Sequence, residues 1–184
     1  MKAIAITGAR DFADTRSVIT AIDAQVAHYL KQNPDEDIRL YVGDCPTGAD
    51  RIATAHWNFM HRQYGKPLIF VADWKNLGSS AGPARNKKMI DYRPYVLLAF
   101  VKMCGRANCP RKPSPHPSHG TWSTLKFAQK ASIETLEYTE SFTQNYFEST
   151  FYQENYLRNL ARAANVYEIF CTHYPEQLIA IVDN

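Results

Sequence analysis

The chain has 184 residues, the usual length of one domain, and it is 45% hydrophobic and 21% charged, which is ordinary for a protein with a buried core. Its apolar runs are shorter than the roughly 20 residues of a membrane-spanning helix, and its net charge of +3 does not by itself favour nucleic acid. Without a secretory signal pattern, and with only four scattered cysteines, we expect a cytoplasmic protein with no membrane partner and no disulfide scaffold.

Apolar runs of strand length alternate with helix-like segments along the first three quarters of the chain. The runs predict strands at 2–7, 38–42, 67–72, 95–101 and 132–138. The segments between them predict helices at 14–31, 47–65, 83–90 and 120–131. This alternation predicts a Rossmann-like α/β fold, an open and mostly parallel sheet with helices on both faces.

The same pattern divides the chain into a nucleotide-binding domain, 1–138, and a C-terminal extension, 139–184. Within the domain, 103–119 carries four prolines and several basic residues, so we expect an insertion there. The extension begins with a stretch rich in aromatic and polar residues, and 157–170 predicts a helix. We expect it not to be an independent domain, but to cover the sheet edge or to form a contact between copies in a homo-oligomer.

Three polar motifs follow the first three predicted strands. Ligands of open parallel sheets sit in the crevice beyond the carboxyl ends of the strands, so these motifs predict a nucleotide- or phosphate-binding site. The candidate ligand-binding residues in the motifs are Gly8, Arg10, Asp11, Gly43, Asp44, Gly48, Ala49, Asp50, Asp73, Trp74, Gly82, Arg85 and Asn86.

The first motif offers Arg10, whose planar guanidinium suits phosphate; the alternative is a tight turn in which Arg10 and Asp11 form a structural pair. The second motif opens a helix, whose N-terminus attracts anions, but Asp44 and Asp50 would repel phosphate. They would then bind a ribose hydroxyl, a metal ion or Arg10. Asp50 has an alternative role as a cap, because its spacing from Thr47 resembles a capping box.

The third motif combines an aromatic ring with a basic helix start. Trp74 is suited to stacking on a base, and its alternative role is core packing. Arg85 and Asn86 lie in the first turn of the following predicted helix, where side chains reach a crevice at the sheet edge.

The insertion carries two cysteines and two histidines, Cys104, Cys109, His116 and His119. These are the ligand types of structural zinc sites, although their spacing is not that of a zinc finger. A structural zinc ion is one interpretation, and a proline-rich loop with reduced thiols is the other. His119 has a third role open to it, facing a ligand beside Gly120. We expect the remaining helical histidines, His28, His56 and His61, to be surface or packing residues.

Taken as a set, these motifs resemble the YspA-like branch of the SLOG superfamily. The matching segments are Thr7–Phe12, Gly48–Asp50, Ala72–Lys75 and Ala81–Met89. The resemblance implies a Rossmann-like fold and binding of a nucleotide or nucleotide-derived ligand. The superfamily also includes the LONELY GUY phosphoribohydrolases, which cleave the bond between a base and ribose 5-phosphate.

The resemblance to the phosphoribohydrolases is partial. Arg85 and Met89 match their Arg-Lys-x-x-Met element, which implies a catalytic role for the arginine. Gly120 and Thr121 match the end of their phosphate loop and are implied ligand-binding residues, but the two earlier glycines of that loop are missing here. Thr124 stands where those enzymes have a catalytic glutamate, which disfavours glycosidic cleavage.

The function that we expect is binding of a nucleotide-like small molecule, in a sensing, carrying or sequestering role, with no required cofactor. The rival is a hydrolase that cleaves an N-glycosidic or phosphate bond of such a ligand, with Arg85, Asp44 and Asp50 as the catalytic groups. A third class is a nucleic-acid-associated module. Its basic residues would be Lys102, Arg106, Arg111 and Lys112.

Overall fold

The protein is described from a computed structural model, which covers residues 2–107, 109–110 and 115–139. Its centre is a five-stranded sheet in which all neighbouring strands are parallel. The strands are β1 (Lys2–Gly8), β2 (Ile38–Gly43), β3 (Leu68–Phe70), β4 (Val96–Val101) and β5 (Glu134–Thr139). This architecture confirms the predicted Rossmann-like α/β fold.

Five α-helices connect or flank the strands. They are α1 (Thr15–Gln32), α2 (Gly48–Met60), α3 (Trp74–Leu77), α4 (Ala81–Asp91) and α5 (His119–Lys130). The one-turn α3 was not predicted. Asp73 caps it by accepting a hydrogen bond from the backbone N–H of Asn76 at 3.2 Å, a local signal that is easily overlooked in so short a segment.

The strand order is β3-β2-β1-β4-β5. The chain therefore moves outward from β1 to β3 and returns to the other side of β1 for β4. The loops that follow β1, β2 and β3 consequently emerge side by side at the carboxyl edge of the sheet, where open α/β sheets bind ligands.

Helices cover both faces of the sheet, because the central strand β1 presents apolar side chains to each side. Ile4 and Ile6 belong to the larger core, which also contains residues from α1 and α2. Ala5 belongs to the smaller core with residues of α4 and α5. Trp57 of α2 is fully buried in the larger core, and its indole N–H donates to the carbonyl of Gly65 at 2.9 Å.

The start of α2 departs from the predicted capping box. Thr47 occupies the N-cap position in an extended conformation, but its side chain makes no capping hydrogen bond. Asp50 instead accepts from the backbone N–H of Cys45 and contacts Arg85. The capping-box interpretation was therefore wrong in its partners, because a buried arginine competes for the carboxylate.

The described helices include none that is long and apolar enough to cross a membrane. The predicted C-terminal extension, 139–184, lies outside the described residues after Thr139.

Candidate ligand-binding site at the carboxyl edge of the sheet

A cavity of about 290 Å³ opens at the carboxyl edge of the sheet, above β1, β2 and β3. It is lined by Arg10, Asp44, Cys45, Pro46, Trp74 and Arg85. These residues come from the β1–α1 loop, the β2–α2 loop, α3 and α4, so four separate segments of the chain contribute to one site.

Two glycines allow the first two of these segments to approach each other. A Cβ added to Gly8 would lie 2.5 Å from the Cβ of Ala49, so the start of α2 packs directly on the end of β1. Gly48 has a φ of +66°, and a Cβ there would lie 2.3 Å from the carbonyl oxygen of Ala9. The β1–α1 loop is thereby held against α2, with Arg10 at the cavity.

Arg85 forms the floor of the cavity. Its Nη1 lies 3.4 Å from Asp50 Oδ2, and its Nη2 lies 3.6 Å from Asp44 Oδ1. The side chain is only 11% exposed, and its buried Nε makes no hydrogen bond within the described part of the chain. Both ion pairs are longer than the 2.7–2.9 Å that is typical of a charge-assisted hydrogen bond, so the guanidinium keeps donor capacity for another group.

The two carboxylates beside Arg85 are held differently. Asp44 Oδ2 accepts from the backbone N–H of Ala72 at 2.9 Å, which ties the end of β2 to the end of β3 and leaves Oδ1 toward Arg85. Burial raises the pKa of Asp50, and the neighbouring Arg85 and the N–H of Cys45 only partly oppose that rise. The site thus contains one fixed carboxylate and one that protonates more readily than usual.

The indole ring of Trp74 also lines the cavity. Trp74 is 48% exposed, and the guanidinium carbon of Arg10 lies 5.7 Å from the centre of its ring, a cation–π distance. A Cβ on Gly82 would lie 3.5 Å from the same ring, so the start of α4 supports it from behind. Because Trp74 is half exposed, its alternative role as a core residue was wrong.

The predicted residues at the start of α5 lie in a buried polar network instead of lining the cavity. Thr124 is fully buried; it accepts hydrogen bonds from Asn86 at 2.7 Å and Thr7 at 3.1 Å, and it donates to the carbonyl of Gly120 at 2.9 Å. Thr121 is also fully buried, with its hydroxyl 2.9 Å from that of Ser118. Asn86 therefore connects α4, which carries Arg85, to α5.

Other predicted residues lie at the rim or away from the cavity. Asp11 is exposed and pairs with Lys102 at 3.3 Å, and Lys102 also donates to the Asp11 carbonyl. Asp11 therefore pairs with Lys102 and not with Arg10, as the alternative interpretation had it. This contact joins the β1–α1 loop to the segment after β4. Of the remaining basic residues, Arg106 is exposed, whereas Arg111 and Lys112 lie outside the described residues.

Two cavity residues, Cys45 and Pro46, were absent from the predicted set. Both lie between Asp44 and Thr47, inside a motif that the sequence had already singled out. Their position directly after β2 was the available signal, but neither side chain has the charge or planarity that suggested the other residues.

Among the described residues, two groups of side chains have the composition of a metal site. Cys104, Cys109, His116 and His119 place one ligand atom each within 4.8 Å of one another, and so do Asp23, His56 and His61. In the second group, Asp23 Oδ1 accepts hydrogen bonds from both histidine Nε2 atoms at 2.7 Å. The sequence did not predict this group, because Asp23 lies in α1, whereas His56 lies in α2 and His61 directly follows it.

No protein-family model and no solved structure matches the chain. Over 141 residues the chain is 32% identical to the Gene 61 protein of Mycobacterium phage D29, a match that covers 75% of this chain and 97% of the phage protein. The name of that relative states no chemistry.

Proposed function

The chain belongs to the family of the Gene 61 protein of Mycobacterium phage D29, and we propose that it binds a nucleotide or a nucleotide-derived small molecule in the cavity between Arg10 and Arg85. The observation that carries this proposal is the state of Arg85. A guanidinium that is mostly buried and loosely paired, and whose Nε makes no hydrogen bond among the described residues, is suited to an anionic ligand at the cavity.

Phosphate is the anion that the site fits best. Hydrogen bonds to charged groups contribute about 1.5–3 kcal/mol each, so ligand oxygens that meet the guanidinium of Arg85 at the cavity gain affinity. Arginine binds phosphate through two parallel N–H bonds, and Arg10 offers a second guanidinium across the cavity. Asp44 and Asp50 hold Arg85 in place before the ligand arrives.

The remaining lining suits the rest of a nucleotide. The exposed ring of Trp74 offers a stacking surface for a base, and the carboxylate of Asp44 can accept hydrogen bonds from ribose hydroxyls. The cavity volume lies at the small end of the range for small-molecule sites, about 300–1,000 Å³, which favours one nucleotide unit over a polymer. The resemblance to the SLOG superfamily points to the same ligand class, and a sensing, carrying or sequestering role follows from binding without turnover.

A hydrolase is the second candidate, and Asp50 is the observation that favours it. A buried carboxyl with a raised pKa beside an arginine is a common feature of active sites. Against it stands Thr124, which matches the position of the catalytic glutamate in the phosphoribohydrolases. Its hydroxyl cannot act as an acid or base near neutral pH, and it is fully buried and committed to Thr7, Asn86 and Gly120.

Mass spectrometry of small molecules released from the purified protein tests the proposal first. Calorimetric titration with AMP, ADP-ribose, ribose 5-phosphate and inorganic phosphate follows, on the wild type, Arg85→Gln and Arg62→Gln. Arg62 is exposed and follows the C-terminal end of α2, so it controls for the loss of one positive charge. We expect binding that Arg85→Gln weakens by about 1.5–3 kcal/mol, the range for hydrogen bonds to charged groups, and that Arg62→Gln leaves unchanged.

Equal affinity in the two variants would remove Arg85 from the site and with it the proposal. The same nucleotides, incubated with the protein and assayed for free base and free phosphate, separate binder from enzyme. Turnover that Arg85→Gln abolishes and Arg62→Gln retains would promote the hydrolase.

A further inference from the structure

We propose that Cys104, Cys109, His116 and His119 form a structural zinc site that fastens the segment between β4 and α5. Their ligand atoms lie within 4.8 Å of one another, and two of the three sulfur–nitrogen distances match those that zinc imposes. Cys109 Sγ lies 3.0 Å from His119 Nε2 and 3.4 Å from His116 Nε2, and Cys104 Sγ lies 3.5 Å from His119 Nε2. With Zn–S bonds of about 2.3 Å and Zn–N bonds of about 2.0–2.1 Å, a sulfur and a nitrogen on one tetrahedral ion lie about 3.5 Å apart.

The histidine His116 is oriented for this role by its second ring nitrogen. Its Nδ1 donates to the carbonyl of Pro117 at 2.8 Å, which places the lone pair on Nε2, the atom that faces Cys109. A backbone carbonyl on the distal nitrogen is the usual partner of a metal-bound histidine. The ring is 4% exposed and stacks on Trp122, with ring centres 4.9 Å apart, so its orientation is fixed from both sides.

The backbone brings the two halves of the site together. Met103 and Pro117 form an antiparallel bridge, and the N–H of Cys104 donates to the carbonyl of His116 at 2.9 Å. Cys104 and His116 are therefore neighbours on the two antiparallel segments that this bridge joins. The N–H of Cys109 donates to the carbonyl of Arg106, which forms a turn in the backbone. The thiol of Cys109 lies next to His116.

Such a link would stabilise the segment, because its described residues bury few side chains. Of its described residues between 102 and 118, His116 alone is buried, and the large apolar side chain of Met103 is 50% exposed. In small loops of this kind the free energy of metal binding supplies stability that packing does not. Four protein ligands would complete a tetrahedral site with no open position, which is the pattern of structural zinc and not of catalytic zinc.

The site also reaches toward the cavity through α5. His119 is the first residue of α5, and the carbonyl of the adjacent Gly120 accepts from Asn86 Nδ2 at 3.3 Å. Asn86 follows Arg85 in α4. A zinc ion would thus fix the N-terminal turn of α5 against the helix that carries Arg85.

Elemental analysis of full-length protein, purified without a histidine tag or chelator, tests the proposal. We expect about one zinc ion per chain in the wild type, in Cys45→Ser and in Asp23→Asn, and almost none in Cys109→Ser. Cys45 is the matched thiol outside the cluster, and Asp23 belongs to the other metal-type group.

A second measurement covers the case in which Cys109→Ser does not fold. Wild-type protein stripped with a chelator is titrated with Co²⁺, which absorbs strongly in the visible when it is tetrahedral and thiolate-bound. We expect that spectrum, its loss on adding Zn²⁺, and a lower melting temperature for the stripped protein. Wild-type protein without zinc and without the cobalt spectrum, or zinc that Asp23→Asn loses and Cys109→Ser keeps, would overturn the assignment.

Discussion

The guanidinium of Arg85 lies directly over the backbone of Gly43, so that a Cβ at position 43 would fall 1.1 Å from Arg85 Nη1 and 2.4 Å from Asp50 Oδ2. Gly43 ends β2, and Arg85 comes from α4, so the contact joins a strand to a helix on the opposite side of the cavity. The absence of a side chain at position 43 leaves room for the guanidinium of Arg85 beside the carboxylate of Asp50.

Gly43→Ala is expected to expel the guanidinium from this position. The backbone of Gly43 does not have a positive φ, so the effect comes from the overlap and not from backbone strain. Overpacking of this kind typically costs about 1–3 kcal/mol, to be measured as the free energy of unfolding in urea. Phosphate-ligand binding, followed by calorimetry, should weaken together with stability.

The control for this variant is Gly105→Ala, because a Cβ there would meet no atom of the described residues within 4 Å. If Gly43→Ala binds and unfolds like Gly105→Ala, the side chain of Arg85 does not lie over Gly43 in solution.

We expect the hydroxyl of Thr124 to contribute more to the free energy of unfolding than its methyl group does. Thr124→Val keeps the shape of the side chain but removes the acceptor for Asn86 and Thr7. Leaving such groups unsatisfied costs about 1–3 kcal/mol, whereas Thr124→Ser keeps the hydroxyl and loses one methyl group, worth about 0.8 kcal/mol. Urea unfolding of the two variants decides. A valine variant as stable as the serine variant would mean that the network contributes nothing.

The fold could be predicted from the sequence because β1 to β4 are short, mainly apolar runs and several element boundaries carry a local signal. The fully buried β4 and the Asp14 cap of α1, which accepts from the N–H of Ser17, are examples of such local information. Most boundaries differed by one or two residues, but α2 ends at Met60, five residues before the predicted end at 65, and Arg62–Tyr64 form a separate 3-10 turn. Gly43, for example, ends β2 and lay just outside the predicted strand.

The contacts of the candidate site could be predicted only in part, because they depend on side-chain directions across the chain. Position after a strand predicted Arg10, Asp44 and Arg85, but not that Arg85 pairs with Asp50, 35 residues away. Likewise, His56 and His61 looked like ordinary helical residues. Their partner Asp23 lies 33 and 38 residues earlier, and only the packing of α1 on α2 brings it to them.

The carboxyl of Asp50 is expected to oppose folding increasingly as pH rises. Because burial raises its pKa, the folded state holds the proton more tightly than the unfolded state, whose value is near 3.8. The free energy of unfolding therefore loses this contribution as pH increases from about 4 through the raised pKa. Relative to the wild type, Asp50→Asn should become progressively more stable in urea unfolding as pH rises above about 4.

The exposed Asp35 provides the control, since Asp35→Asn removes a charge without touching a buried group. A stability difference between Asp50→Asn and the wild type that does not change over this range would show that Asp50 is ionised as readily in the folded chain as in the unfolded one.

Asp23 is expected to behave in the opposite way. Burial acts to raise its pKa, but the hydrogen bonds from His56 and His61, together with their charges, outweigh burial and lower it below 3.8. The stabilisation is therefore fully present above the unfolded value and disappears as pH falls through the lowered pKa. Asp23→Asn should cost about 1.5–3 kcal/mol near neutral pH, the range for hydrogen bonds to a charged group, and progressively less below about pH 4.

Urea unfolding of Asp23→Asn and the wild type at a series of pH values, with and without a chelator, measures this cost. A chelator should leave the difference unchanged, because each histidine Nε2 lies at hydrogen-bond distance, 2.7 Å, from the Asp23 carboxylate. If the difference instead vanishes with the chelator, a cation bound by Asp23, His56 and His61 supplies the stability. If it grows as pH falls, the carboxyl of Asp23 is protonated in the folded protein, and the hydrogen bonds to the histidines do not lower its pKa.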